Sequence, residues 1–116
     1  MEEAGTCVAV AVKDETIRRS IVFVIKAHGH FVLLLESLTW TSHRPHCLVL
    51  DLPTLAIPGP KEQLSLIGCP SVLLTDALQQ VPPWYSGQIV LLPLLGNTFL
   101  EAIDRAIAAQ ARAPAR

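Results

Sequence analysis

The chain has 116 residues, of which 51% are hydrophobic and 16% are charged, and its formal net charge is -1. This composition excludes an intrinsically disordered protein, and the near-zero charge gives no electrostatic footprint for nucleic acid or an anionic membrane. Three cysteines without metal-type spacing, an acidic start unlike a signal peptide and the lack of a membrane-length apolar run predict a cytoplasmic protein.

The first part of the chain predicts a strand, a helix and a second strand. Thr6–Val12 is apolar and β-branched, and Phe31–Leu35 is a second apolar run, so both favour strands. Between them, Asp14 suits a helix N-cap, and apolar residues recur at helical spacing until Gly29 ends the pattern. Leu38–Arg44 is at best a short helix, because it is short and contains β-branched threonines.

Asp51 is the most informative single residue. It follows Cys47–Leu50, a short apolar run that predicts a strand buried on both faces. Ligands bind at the carboxyl ends of the central strands in open α/β sheets, and Asp51 would lie at such an end. An aspartate at this position is equally typical of a cap on the following turn, so the residues leave both interpretations open.

The second half of the chain predicts the remaining elements after a proline-rich loop through Pro53, Pro58 and Pro60. They are a short helix over Lys61–Ile67 ended by Gly68, a strand over Ser71–Thr75, a strand over Gln88–Leu92 and a final helix that begins with a capping box of Thr98 and Glu101. This alternation predicts a doubly wound five-stranded parallel sheet in one domain over residues 5–110, with a tail over 111–116.

The segment Asp76–Gly87 contains two consecutive prolines, Pro82 and Pro83, which stop any helix that begins at Asp76. It also contains the aromatic pair Trp84 and Tyr85. These side chains either anchor a partner or fold back over the sheet, and we favour the second interpretation.

Four blocks give the chain a family resemblance: Val12–Ile21 continued to Gly29 and His30, Pro45–Leu52, Ser71–Thr75, and Ile89–Ile107. Together they resemble the CheY-like receiver domain of two-component response regulators. The resemblance implies strand order 2-1-3-4-5, a shortened or lost fourth helix, and Asp51 at the phosphoacceptor position. It also implies a protein partner (a histidine kinase, an output domain or another regulator) and a possible homodimer, with no nucleic acid and no membrane bound by this domain.

The metal-binding part of the family pattern is missing. Val12 and Lys13 stand where receivers carry the acidic pair that holds Mg²⁺. We therefore expect no cofactor and no metal, and we expect the Lys13 ammonium to neutralise Asp51 in place of the ion. Asp14 and Glu15 could instead slide back to serve as the metal pair, which would leave a working phosphoacceptor with an altered metal requirement.

The phosphate-binding part of the pattern is also incomplete. Leu92, before Pro93, replaces the family's lysine, and Ile89 replaces its aromatic residue, whereas Thr75 keeps the switch hydroxyl. The resemblance therefore implies a non-enzymatic pseudo-receiver, with a pocket of Lys13, Asp14, Thr75, Leu92 and Pro93 around Asp51.

Two further possibilities concern other sites. A small α/β enzyme or ligand-binding domain could use the same crevice, because a fold does not determine a function. The histidine pairs His28 with His30 and His43 with His46 lack cysteine or acidic partners in the sequence, so we expect them to be solvated and not to bind metal.

Overall fold

The computed structural model describes residues 6–36, 45–56, 59–92 and 97–112 and contains a single parallel sheet. Its strands run in the order β2-β1-β3-β4-β5, and every neighbouring pair is parallel. The predicted doubly wound sheet and its strand order are therefore confirmed. The bounds are β1 Cys7–Ala11, β2 Phe31–Leu34, β3 Cys47–Asp51, β4 Ser71–Thr75 and β5 Gln88–Leu91.

The described residues form four α-helices and one 3₁₀ turn besides the strands, and the predicted signals at two of the helix ends are confirmed. The Asp14 carboxylate accepts a hydrogen bond from the Ile17 N–H at 3.0 Å and caps α1, and Gly68 ends α3 in the left-handed conformation with φ of 69°. No helix among the described residues is long and apolar enough to cross a bilayer. The bounds are α1 Glu15–Ala27, α2 Leu52–Leu55, α3 Pro60–Ile67, the 3₁₀ turn Leu78–Gln80 and α4 Thr98–Arg112.

Three predicted boundaries need correction or lie outside the described residues. Helix α4 already includes Thr98, and the Glu101 N–H donates to the Asn97 carbonyl at 2.9 Å, so the predicted capping box is wrong. The predicted proline-rich loop begins with the one-turn helix α2, because proline is tolerated in the first turn of a helix. The whole of the predicted short helix Leu38–Arg44 lies outside the described residues.

The sheet is covered on both faces because alternate residues of each strand point in opposite directions. One face buries Val8, Val10, Val49 and Val72 against Ile21 and Ile25 of α1 and against Phe99 and Ile103 of α4. The other face buries Ala9, Leu48, Leu50 and Leu73 against Leu55 of α2 and Ile67 of α3. Since both faces are covered, the strands are continuous apolar runs, as they are in parallel sheets generally.

Cys47, at the start of the central strand, has no exposed surface. Burial raises the pKa of its thiol to about 12, and the nearby Cys69 acts in the same direction. The thiol therefore stays protonated near neutral pH and serves as an apolar packing group.

The connection between β4 and β5 contains only the 3₁₀ turn Leu78–Gln80. The turn ends at Val81, which has extended backbone angles directly before Pro82. The helix that receivers carry between their fourth and fifth strands is thus shortened, as predicted, because the two prolines stop it.

Candidate functional site

Asp51 is the last residue of β3, the central strand of the sheet. It lies at the carboxyl edge, next to Leu74 of β4 and beside the end of β1, where Ala11 is paired with Leu50. Ligands of open α/β sheets bind at this edge. The side chain is nevertheless buried, with only 4% of its surface exposed.

Backbone amides occupy both oxygens of the Asp51 carboxylate. Oδ2 accepts hydrogen bonds from the N–H of Lys13 at 2.9 Å and from the N–H of Asp14 at 3.3 Å. Oδ1 accepts from the N–H of Thr54 at 3.2 Å, which makes Asp51 the N-cap of α2. The capping interpretation of Asp51 is therefore confirmed. The same carboxylate also accepts hydrogen bonds from two amides that follow the neighbouring strand β1.

Thr54 is a part of this site that sequence reasoning missed. Its buried hydroxyl lies within hydrogen-bonding distance of both Asp51 Oδ1 and the Ala11 carbonyl oxygen. The hydroxyl carries one proton, so it donates to one of these acceptors at a time or is shared between them. The spacing Asp51-x-x-Thr54, with Pro53 in the first turn, is a helix-start signal that could have revealed the contact.

The predicted ion pair between Lys13 and Asp51 is wrong. The Lys13 ammonium donates to the Glu36 carbonyl oxygen at 3.2 Å, and only the backbone N–H of Lys13 reaches Asp51. The physical reason lies in the chain direction after β1, which turns two successive amides toward the carboxylate and turns the side chain away from it. A carboxylate that accepts several amide hydrogen bonds is stabilised without a cationic partner.

The alternative metal pair does not form either. The Asp14 carboxylate caps α1, and Glu15 makes an ion pair with Arg19 at 2.6 Å on the exposed surface of that helix. Val12, which stands at one of the two positions of the family's acidic pair, is buried in the core. Receiver-like folds imply Mg²⁺ at this place, but here amide N–H groups point at the oxygen that would bind it. The residues present therefore do not fit the ion.

The remaining predicted pocket residues serve local structure. The Thr75 hydroxyl accepts a hydrogen bond from the N–H of Ala77 at 2.9 Å and closes a tight turn after β4. Leu92 is half-buried and packs against the core between the sheet and helices α1 and α4. Pro93 lies outside the described residues.

Trp84 and Tyr85 fold back over the sheet, as we favoured from the sequence. Both pack against the core on the face that carries α2 and α3. The Tyr85 hydroxyl lies 2.8 Å from the Ser71 hydroxyl and donates to the Gln88 carbonyl at 3.3 Å. Burial raises the pKa of Tyr85 to about 12, although the hydrogen bond from Ser71 opposes this shift. These aromatic side chains thus cover sheet surface beside the β4–β5 connection, which contains only a 3₁₀ turn.

Comparison with solved structures places this fold among receivers. The chain is similar to the response regulator StyR, with 24% identity over 93% of this chain and 62% of StyR, and a TM-score of 0.71. It is also similar to the chemotaxis protein CheY4 of Vibrio cholerae, with 14% identity over 89% of this chain and 99% of CheY4, and a TM-score of 0.66.

A third similar structure is the receiver domain of the sensor histidine kinase PA1611 from Pseudomonas aeruginosa, which holds a magnesium ion in its active-site cleft. It shares 15% identity over 90% of this chain and 99% of that domain, with a TM-score of 0.65. No protein-family model and no curated protein matches the chain. By its fold, the chain is similar to the CheY-like receiver domains of response regulators.

Proposed function

We propose that this chain is a pseudo-receiver, a non-catalytic signalling or protein-interaction module of a cytoplasmic two-component-type regulator. The observation that carries the proposal is the burial and the hydrogen bonding of the Asp51 carboxylate. Its carboxylate is buried and is hydrogen-bonded by the amides of Lys13, Asp14 and Thr54. The group that accepts a phosphoryl group in a working receiver is here a structural cap.

Phosphoryl transfer to this carboxylate would meet two physical obstacles. An attacking oxygen needs a free lone pair and an in-line approach, whereas both Asp51 oxygens already accept hydrogen bonds in a buried position. The phosphoryl charge also needs a cation for neutralisation, and the nearby Lys13 ammonium is bound to the Glu36 carbonyl. Without a metal, the approach of the phosphodonor would bring two negative groups, its phosphoryl oxygens and the Asp51 carboxylate, side by side.

A catalytic use of the crevice has little support in the arrangement of side chains. Asp51 is the only buried charged side chain among the described residues, and the neighbouring buried hydroxyls of Thr54 and Thr75 bond to local groups. An enzyme would need a second group in reach to act as an acid, a base or a nucleophile.

Exposed apolar side chains support a role in protein interaction. Phe23 of α1 is 74% exposed, and Phe31 and Leu34 at the β2 edge of the sheet are also exposed. Phe23 and Leu34 line the same surface depression, and apolar groups presented together are typical of interaction surfaces. The partner would be a histidine kinase, an output domain, another regulator or a second copy of the chain.

The test is incubation with a small phosphodonor and Mg²⁺, followed by intact-mass spectrometry. We expect no phosphoryl adduct and no binding of a beryllofluoride-type phosphoryl mimic. The Asp51→Asn variant is the control, because its amide cannot accept a phosphoryl group to form an acyl phosphate. An adduct that forms on the native chain and disappears in Asp51→Asn would overturn the proposal in favour of a working receiver.

A further inference from the structure

Three side chains of metal-ligating type meet at the amino edge of the sheet. His28 caps the C-terminus of α1, His30 directly precedes β2, and Asp104 comes from α4. One ligand atom from each lies within 4.8 Å of the others. The expectation that His28 and His30 lack an acidic partner is therefore wrong, because α1 and α4 pack on the same face of the sheet and bring Asp104 to them.

The separation between His28 and Asp104 suits two ligands of one ion better than a direct bond. His28 Nε2 lies 3.6 Å from Asp104 Oδ2, which is longer than a normal hydrogen bond. Two ligands at about 2.0–2.1 Å from a tetrahedral zinc ion would be roughly 3.4 Å apart. These side chains are 40% and 56% exposed, so an ion from solvent can reach them.

His30 supplies a nitrogen that has no hydrogen-bond partner among the described residues. Its Nδ1 is hydrogen-bonded to the hydroxyl of Thr6, whereas its Nε2 is buried and makes no hydrogen bond within the described part of the chain. A buried polar atom without a partner is costly, and a bound cation would satisfy it. When the Thr6 hydroxyl accepts a hydrogen bond from the Nδ1–H group, the Nε2 lone pair is free to ligate, which is the usual arrangement around metal-bound histidines.

We propose that His28, His30 and Asp104 form a binding site for a divalent transition-metal ion of the zinc type. Two imidazoles and one carboxylate suit such ions, whereas Mg²⁺ and Ca²⁺ prefer sites made entirely of oxygen. Three protein ligands leave at least one coordination position for water or for a ligand from a partner. The ion would join the end of α1 and the start of β2 to α4. The site lies at the opposite edge of the sheet from Asp51, so it does not depend on the proposed function.

The test is calorimetric titration of the metal-free protein with Zn²⁺ alone, together with absorption spectra of the Co²⁺ form. We expect one saturable site, a raised melting temperature and no comparable binding of Mg²⁺. Each of His28→Ala, His30→Gln and Asp104→Asn should weaken Zn²⁺ affinity by more than 100-fold. Thr6→Val should weaken it by about 10-fold, because loss of an outer-shell partner costs about 10–100-fold.

Two control variants separate this site from other surface groups. Glu101→Gln removes an exposed acid one turn earlier on α4, and His46→Ala removes a histidine whose Nδ1 accepts the Cys7 N–H at 3.0 Å. Both should bind Zn²⁺ as the native chain does. The assignment is overturned if the native chain does not bind Zn²⁺, if Asp104→Asn binds it unchanged, if either control loses binding, or if the Co²⁺ spectrum contains a thiolate charge-transfer band.

Discussion

Asp51 illustrates how a carboxylate at a ligand-binding edge can be used entirely for structure. Its oxygens connect three parts of the chain, because the amides come from the end of β1, the start of α1 and the first turn of α2. Each of these amides would otherwise be an unpaired donor near the top of the core. The side chain therefore contributes to stability through its acceptors rather than through an accessible reactive oxygen.

Replacing Asp51 with asparagine should destabilise the fold. Either orientation of the new amide directs its NH₂ group at a backbone N–H, toward Lys13 and Asp14 or toward Thr54. A buried donor left without an acceptor costs about 1–3 kcal/mol. Urea denaturation should show this loss, and Asp76→Asn, a change at an exposed position after β4, is the matched control. Equal stability of the two variants would contradict this account of Asp51.

Tyr85 offers a pH-dependent test of the segment that replaces the fourth helix. It is the only tyrosine in the chain, so phenolate absorbance reports on this residue alone. In the folded protein we expect a pKa of about 12, compared with about 10 after unfolding in urea. Because the folded pKa is the higher one, the stability that this neutral phenol contributes is complete below about pH 10 and is lost as the pH rises toward about 12.

Ser71→Ala gives the sign control for Tyr85. The Ser71 hydroxyl lies 2.8 Å from the phenol oxygen and lowers its pKa by hydrogen bonding to the ionised form. Its removal should therefore move the folded-state midpoint still higher. A folded-state titration midpoint of Tyr85 near pH 10, unchanged by Ser71→Ala, would mean that Tyr85 does not pack against the sheet.

At the level of elements, the stability of α1 depends on the hydrogen bond that Asp14 makes at its N-terminus. The Asp14 carboxylate accepts the Ile17 N–H, and loss of such a cap costs about 1 kcal/mol, within a range of about 0.5–2 kcal/mol. We therefore expect Asp14→Ala to lower the free energy of unfolding by about that amount in a thermal or urea melt. Asp14→Asn should be close to the native chain, because asparagine caps as well as aspartate does.

The same pair of variants tests the alternative in which Asp14 holds a metal ion. A metal ligand would lose its function on conversion to asparagine, whereas a cap would not. If Asp14→Asn were as unstable as Asp14→Ala, or if Mg²⁺ stabilised only the native chain, the capping role would be contradicted.

The elements could be predicted from the sequence where local chemistry decided them. Ser71–Thr75 was predicted with its observed bounds because an apolar, β-branched run between Pro70 and Asp76 has few alternatives. The start of α4 was misplaced because adjacent polar residues, Asn97 and Thr98, can both precede a helix. The position of Asp51 at a strand end was predicted, but its partners were not, since the direction of a backbone amide after a strand leaves no trace in side-chain identity.

At the level of the whole molecule, the parallel sheet separates two groups of polar residues. Strand ends collect at one edge, with Asp51, and strand starts collect at the other, with Thr6 and His30. The first group could be predicted from the sequence because its aspartate directly follows an apolar run that predicts a strand. The second was not, because Asp104 belongs to the last helix and reaches the histidines only through the packing of α4 beside α1.

The complete burial of Cys47 makes its thiol a probe for the opening of the central strand, β3. Alkylating reagents attack the thiolate, and this thiol is both inaccessible and protonated until about pH 12 in the folded chain. Labelling of Cys47, followed by mass spectrometry of its peptide, should therefore proceed only through molecules whose central strand has opened. The ratio of the labelling rate in native buffer to that in urea then gives the opening free energy of β3. Equal rates in the two solutions would show that the central strand is not held closed.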